Sequence, residues 1–225
     1  MSHDIAVIGD GCAALSLAAK AGQLPDYNIT LVRPNGAPES KDHVWGFWSD
    51  EILEDAAQLA KGTWHKWDII TPKRRFTMSS KSMPYQAIKR NDWTDYCQNL
   101  AKSAGVEFID EDDWQINDSS TIFDTRPPLV PDNCVLQHFH GLEIKTNTPV
   151  FEDKNAILMD FRVDQSKGMH FIYLLPYSST EALVESTIFS TELVDEQFYL
   201  STIDNYLADY YQVNEYEITH REKGV

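Results

Sequence analysis

The order of apolar and polar positions gives the chain two textures. Ile5-Ala-Val-Ile8 is an unbroken apolar run of strand length, the pattern of a strand covered on both faces. Gly9-Asp-Gly11 interrupts it. Ala14, Leu15, Ala18 and Ala19 then recur at helical spacing, with Gly22 placed to stop the helix, and residues 28–32 supply a second strand. Strand, tight turn, helix and strand predict a βαβ start, hence a parallel sheet with a right-handed crossover. Residues 50–61 read as a helix capped by Asp50. Residues 67–70 and 75–78 read as short strands turned at Pro72. Asn91 is the expected cap of a helix that reaches Ala104 and ends at Gly105, before a further strand at 106–109.

Beyond Cys134 the period changes. Residues 135–144, 156–163, 170–175 and 183–189 are long β-like segments whose links are too short for helical crossovers, so antiparallel pairing is predicted, and 194–211 closes as a helix. The resulting fold class is α/β: a Rossmann-like domain at 1–66 and 85–132, and a mainly antiparallel layer at 67–84 and 133–225.

Composition narrows the function classes. The 225 residues carry 19 Lys+Arg against 35 Asp+Glu, a formal net charge of −16, which makes nucleic acid a poor partner. Twelve per cent aromatics and six Trp supply enough apolar surface for a packed core. The charge is polarised. Residues 61–90 hold eight basic groups against the single acid Asp68, whereas the last 45 residues hold ten acids against Arg221 and Lys223. Cys12, Cys97 and Cys134 are odd in number and widely spaced, which predicts reduced thiols and a cytoplasmic compartment. Asp4 interrupts any signal-peptide pattern, and no apolar run approaches the ~20 residues of a membrane helix, so membrane contact is expected to be peripheral.

Four segments could carry chemistry. Gly9-x-Gly11-x-x-Ala14 sits after a strand and before a helix, where glycines admit a pyrophosphate to the helix N-terminus and the third position needs only a small side chain. Arg33 stands where an acid would hold the ribose hydroxyls, so either a phosphate-bearing ribose is favoured or the ribose is held differently. His43-Val-Trp-Gly-Phe-Trp48 offers Trp45, Phe47 and Trp48 either as core or as the wall for a large apolar or cationic ligand. Phe123-Asp-Thr-Arg-Pro127 brings Asp124 and Arg126 to the carboxyl edge of a strand, as a ligand contact or as an ordinary ion-paired loop. In Leu183-Val-Glu185-Ser-Thr187-Ile-Phe189, alternation sets Glu185 on the face of Leu183, Thr187 and Phe189, an acid among apolar neighbours or a simply exposed one. His138 and His140 share a strand face, but no third ligand is evident and no metal is expected.

In their order, these segments together with Gln137-His-Phe-His-Gly141, Ile157-Leu-Met-Asp160, Val163-Asp-Gln165 and Tyr173-Leu-Leu-Pro176 resemble the flavin-dependent lycopene cyclases of bacterial carotenoid synthesis, over nearly the whole chain. The resemblance implies a flavoprotein-monooxygenase-like fold that binds FAD, kept reduced by NAD(P)H, and an intramolecular, redox-neutral cyclisation of the ψ-ends of lycopene to β-ionone rings. By the resemblance, FAD falls to Gly9, Gly11, Ala14, Arg33, Asp124 and Arg126. The carotenoid falls to Trp45, Phe47, Trp48 and His138, and the essential acid is Glu185. Ser186 departs from the family, whose members often carry a second acid there, and so makes help for Glu185 from elsewhere more necessary. Protonating an alkene at neutral pH needs a carboxyl raised from about 4.3 to ~7, roughly 3.7 kcal/mol, within reach of apolar burial. Glu185 or reduced flavin could supply that proton.

A bilayer-resident substrate also implies docking at the inner face of the cytoplasmic membrane. The basic stretch from Lys61 to Arg90, with Trp64, Trp67 and Phe76 interleaved, is the segment suited to it. Family members continue past the equivalent of Val225 into a segment that completes the flavin site, so weak or no activity is expected from these residues alone. The competing readings are another flavoprotein of the same architecture, an isoprenoid reductase or aromatic hydroxylase, and a non-catalytic nucleotide-binding fragment.

Overall fold

The computed structural model describes residues 3–36, 41–115 and 121–225. In chain order the elements are β1 (His3–Ile8), α1 (Cys12–Ala18), β2 (Tyr27–Arg33), β3 (Val44–Trp48), α2 (Glu54–Gln58), β4 (Gly62–Trp64), β5 (Lys66–Ile70), β6 (Arg75–Ser79), β7 (Tyr85–Lys89), α3 (Arg90–Ser103), β8 (Glu107–Asp110), β9 (Thr121–Asp124), β10 (Leu136–Lys145), β11 (Asn155–Asp160), β12 (Met169–Pro176), β13 (Glu181–Ser190), α4 (Glu196–Tyr211) and β14 (Glu217–Gly224). They form two compact units, Met1–Asp42 with Lys89–Leu129 and His43–Ile88 with Val130–Val225.

The first unit is a four-stranded sheet in the order β8-β2-β1-β9, parallel throughout. Its core joins Val7 and Leu31 of the sheet to Ala14, Leu15 and Ala18 of α1 and Cys97 and Ala101 of α3. Alanines at 14 and 18 are fully buried and let the helix lie close to its neighbours. One expectation is corrected here. Helix α3 begins at Arg90, a residue too early for Asn91 to cap it, and the Asn91 N–H instead donates to Asp42 Oδ1 at 3.1 Å. Gly105 follows that helix at φ +82°, the left-handed stop expected of it.

In the second unit a seven-stranded sheet runs β14-β10-β13-β12-β11-β5-β6, and β3-β7-β4 form a smaller sheet. All pairings of the large sheet are antiparallel except β5 with β11. Side chains alternate across it. Leu142, Ile144, Ile172, Leu174 and Val184 pack with Ile203, Tyr206 and Leu207 of α4, capped by Asp195. On the opposite face Leu175 and Leu183 pack with Trp64, Tyr85 and Ala87 of the small sheet. That aromatic packing draws residues 43–66 and 85–88, expected with the nucleotide domain, into this unit. Asp50 caps as expected, accepting from Ile52 and Leu53 N–H, but a 3-10 turn and five residues of α2 replace the long helix, and Ile52 is exposed.

The junction of β5, β6 and β11 is closed by a buried carboxylate. Burial raises the pKa of Asp68, yet donors on Arg75, Thr77 and Asn155 more than offset this and hold it below the ordinary range. Asp68→Ala would orphan Thr77 and Asn155, while Arg75, half exposed, would regain water. We expect a loss of about 2–3 kcal/mol, read as a lower urea midpoint at unchanged slope.

Candidate active site

The carboxyl edge of the parallel sheet is built around one strained turn. Gly9 adopts φ +135°, and a Cβ there would fall 2.1 Å from Thr125 Oγ1, which itself donates to Ile8 O at 2.9 Å. Gly11 caps α1 with no side-chain partner, and nothing lies within 4 Å of where its Cβ would be. No acid occupies the first turn of α1, and no side chain caps its N-terminal N–H groups. Arg33 ends β2 paired with Asp10 at 3.3 Å, and the register sets Asp110 opposite Arg33. Those three, with Arg90, Asn91 and Thr94, line a cavity of about 450 Å³. Acids therefore stand beside Arg33 although none occupies position 33. Asp124 and Arg126 lie outside that cavity wall, where they pair with each other, and Arg126 also reaches Glu111. Arg126 holds the exposed Asp124 carboxyl below its usual range.

In the second unit a cavity of about 400 Å³ opens on the sheet face away from α4. Its walls include Trp45, Tyr85, Gln137, Phe139, Tyr173, Leu175 and Leu183, and one carboxyl, Glu185, faces into it. Gly46 is required by contact: a Cβ there would lie 1.8 Å from the Tyr85 hydroxyl. Glu185 is 9% exposed and accepts from Thr187 Oγ1 at 2.5 Å. Burial pushes its carboxyl up to about 7, and the hydrogen bond from Thr187 pulls the other way. The same burial raises the hydroxyls of Tyr85 and Tyr173, so both stay neutral donors beside it.

A second acid completes this row. Pairing sets Tyr173 opposite Glu185, Glu185 opposite Gly141, and Gly141 opposite Glu222. Because Gly141 has no side chain, Glu222 folds over it. A Cβ at 141 would fall 2.8 Å from Glu222 Cγ and 3.0 Å from Oε1. Glu222 Oε2 accepts from Val44 N–H at 2.7 Å, while Oε1 is buried without a protein donor. Burial, then the charge of Glu185, pushes Glu222 up to about 8.

The aromatic and histidine expectations divide. Trp45 lines the cavity, but Phe47 and Trp48 do not. Trp48 packs edge-on against Tyr85 and Trp67. His138 is corrected: strand alternation turns it to the α4 face, where it is buried, accepts or donates with Tyr199 at 2.6 Å, and bonds Ser190 at 2.8 Å. Its neighbours Gln137 and Phe139 take the cavity side. Trp64 is also buried, its indole N–H donating to Pro176 O, and so cannot serve as a membrane anchor; Phe76 remains exposed on β6. No helix among the described residues is long and apolar enough to cross a membrane. Glu222 and Tyr85 were missed because neither stands in an apolar run; the Gly in Gln-His-Phe-His-Gly141 was the signal that something crosses above it.

The family model described as lycopene cyclase protein matches residues 4–225. A lycopene beta-cyclase of Paracoccus sp. (strain N81106 / MBIC 01143) is 25% identical over 213 residues, covering 84% of this chain and 52% of its own length. One from Pantoea ananas is 26% identical over 205 residues, covering 82% and 52%. The chain thus spans about half the length of the curated relatives it matches. Among solved structures, a geranylgeranyl bacteriochlorophyll reductase-like protein from Thermoplasma acidophilum superposes with TM-score 0.66 at 13% identity, over 99% of this chain and 66% of that one. A flavin-dependent brominase gives 0.63 at 13% identity, over 100% and 67%. The fold is the one shared with that reductase-like protein, the flavin-dependent brominase and a 2-methyl-3-hydroxypyridine-5-carboxylic acid oxygenase.

Proposed function

The chain belongs to the lycopene cyclase protein family, and from that premise we propose that it carries the proton-donating half of a carotenoid cyclase acting on the ψ-ends of lycopene to give β-ionone rings. The observation that carries this reading is a neutral-range carboxyl, Glu185, at the base of an apolar, aromatic-walled cavity. Its proton would add to C2 of the terminal C1=C2 bond, leaving a tertiary cation at C1. The C5=C6 pair then closes the C1–C6 bond, and loss of the C6 proton restores the double bond. No electrons are gained or lost overall. Trp45, Tyr85 and Tyr173 supply aromatic surface to a passing cation without a competing nucleophile as strong as a carboxylate. The leucines and Phe139 exclude water that would trap it.

FAD fits the parallel edge: the open approach at Gly11, the uncapped start of α1 and the cavity beside Arg33 suit a pyrophosphate and its ribose. Gly9, Gly11, Ala14 and Arg33 would hold it, with Asp10 and Asp110 beside the ribose and with Asp124 and Arg126 at the neighbouring strand end. When bound and kept reduced by NAD(P)H, FAD supplies an electron-rich ring able to favour positive charge in the substrate. The test is to express the full-length protein in lycopene-producing cells and analyse the carotenoids. A product isomeric with lycopene supports cyclisation; a product of different mass would sink it in favour of a reductase or hydroxylase.

A bilayer-resident substrate would call for docking at a membrane surface, which we take to be the inner face of the cytoplasmic membrane. Lys73, Arg74, Phe76 and Met78 are exposed together at β6 and its turn, a basic and apolar edge suited to anionic headgroups. Reversing the charge of Lys73 and Arg74 is expected to lower binding to anionic vesicles about tenfold or more at low salt. Unchanged sedimentation with vesicles would remove this edge from the docking surface.

A further inference from the structure

We propose that Glu222 is a positioning residue for the acid: its Oε1 carries a proton donated across Gly141 to the Glu185 carboxyl, while the Val44 N–H pins Oε2. This rests on the reading of Glu185 as the proton donor. Three geometric facts lead to it. The pairing puts both glutamates in one row, on either side of a residue with no side chain. Glu222 Oε1 lies over that glycine, 3.0 Å from where a Cβ would be, and the two carboxyls act on each other across it. It is buried, and among the described residues no donor reaches it. An ionised carboxylate oxygen left so would be costly, whereas a hydroxyl with Glu185 as its acceptor is satisfied.

The surrounding groups fit one proton shared and one held. Glu143 faces the pair from β10, ion-paired with Lys61 at 2.6 Å. His220 on β14 favours ionisation of Glu222, and the charge of Glu143 opposes it. Tyr85, Tyr173 and Tyr177 bring only neutral hydroxyls, all raised by burial. Burial raises both carboxyls, and the charge of one opposes ionisation of the other, so one stays protonated as the other ionises; Glu222 Oε1, buried without a donor, is the oxygen placed to keep its proton when Glu185 gives its own away. The consequence is chemical. As the Glu185 O–H bond breaks and its proton joins C2, negative charge appears on a buried carboxylate; the Glu222 O–H stabilises it there. When the C6 proton returns to Glu185, the pair regains its starting state, and no outside acid or base is consumed.

The deciding measurement is an infrared titration of the full-length protein across the neutral range, following the carbonyl bands of neutral carboxylic acids. Two buried bands are expected in the native protein. Glu222→Gln should remove one and leave ionisation of Glu185 near its native pH, because the amide still donates and Glu222 is neutral when Glu185 ionises. Glu222→Leu should also remove one, yet move Glu185 to higher pH, because the donor is gone. A shift of at least about half a unit is expected in Glu222→Leu and a smaller one in Glu222→Gln. Turnover should fall about 10- to 100-fold in Glu222→Leu and less in Glu222→Gln, since the lost hydrogen bond is to a developing charge. If neither variant removes a band, or Glu185 titrates alike in all three proteins, the proposal fails. Full turnover by Glu185→Gln would instead remove the donor reading, leaving the spectra of the pair as they are.

Discussion

Glu185→Gln is expected to lose cyclisation by about 10²–10⁴-fold while making the fold more resistant to alkali. The two effects share one cause. Burial raises the folded-state pKa of Glu185 from its ordinary 4.5 to about 7. Between those values the folded state binds more protons than the unfolded one, so stability is fully present below the lower value. It falls as pH rises through the window, and the whole penalty is in place above it. A neutral amide of the same shape never incurs that penalty. Near pH 8 the variant should unfold at higher temperature than the native protein by an amount worth about 2–4 kcal/mol, and near pH 5 the two should coincide. Thr187 can still donate to the amide oxygen, so the local hydrogen bond survives. A merely structural glutamate would give the opposite pattern, since its loss would weaken the fold at every pH. Retained turnover in the full-length protein would end the assignment of Glu185 as the acid.

Much of this was legible in the chain, for reasons that can be named. Ile5 to Ile8 is an apolar run because both faces of a parallel sheet are covered, and such a run is visible without any knowledge of partners. Glu185 was legible because alternation of period two puts it among Leu183, Thr187 and Phe189. What alternation could not tell was which face of β10 lines the cavity. Two histidines drew attention to the face that turned out to lie under α4, whereas Phe139 and Gly141 mattered on the other. The last strand was hidden for a different reason. Glu-Ile-Thr-His-Arg-Glu-Lys-Gly has no apolar stripe, because β14 is an edge strand with mostly exposed positions, and only Glu222 of it is buried. The acid that substitutes for the one missing at Ser186 thus sits in the least strand-like segment of the second unit. Non-local pairing put it there, and no local pattern encodes that.

The two glycines of the first turn make opposite demands and so separate folding from cofactor binding. Gly9→Ala is expected to damage the fold itself. A Cβ at 2.1 Å from Thr125 Oγ1 cannot be accommodated, and φ +135° is closed to alanine, so Thr125 must release Ile8 or the turn must open. We expect a loss of about 3 kcal/mol or more in the stability of this unit, read by denaturant unfolding, together with loss of any flavin. Gly11→Ala should leave stability nearly unchanged, because its φ is −87° and the space at its Cβ is open. That space is the approach to the start of α1. If a pyrophosphate occupies it, a methyl group there collides with the ligand and not with the protein, so flavin affinity should fall at least about tenfold in a protein as stable as the native one. Flavin titration followed by fluorescence quenching, beside an unfolding curve for each variant, gives both quantities. Undiminished affinity in Gly11→Ala would move the cofactor away from this turn, and a stable Gly9→Ala would mean that Thr125 has another place to go.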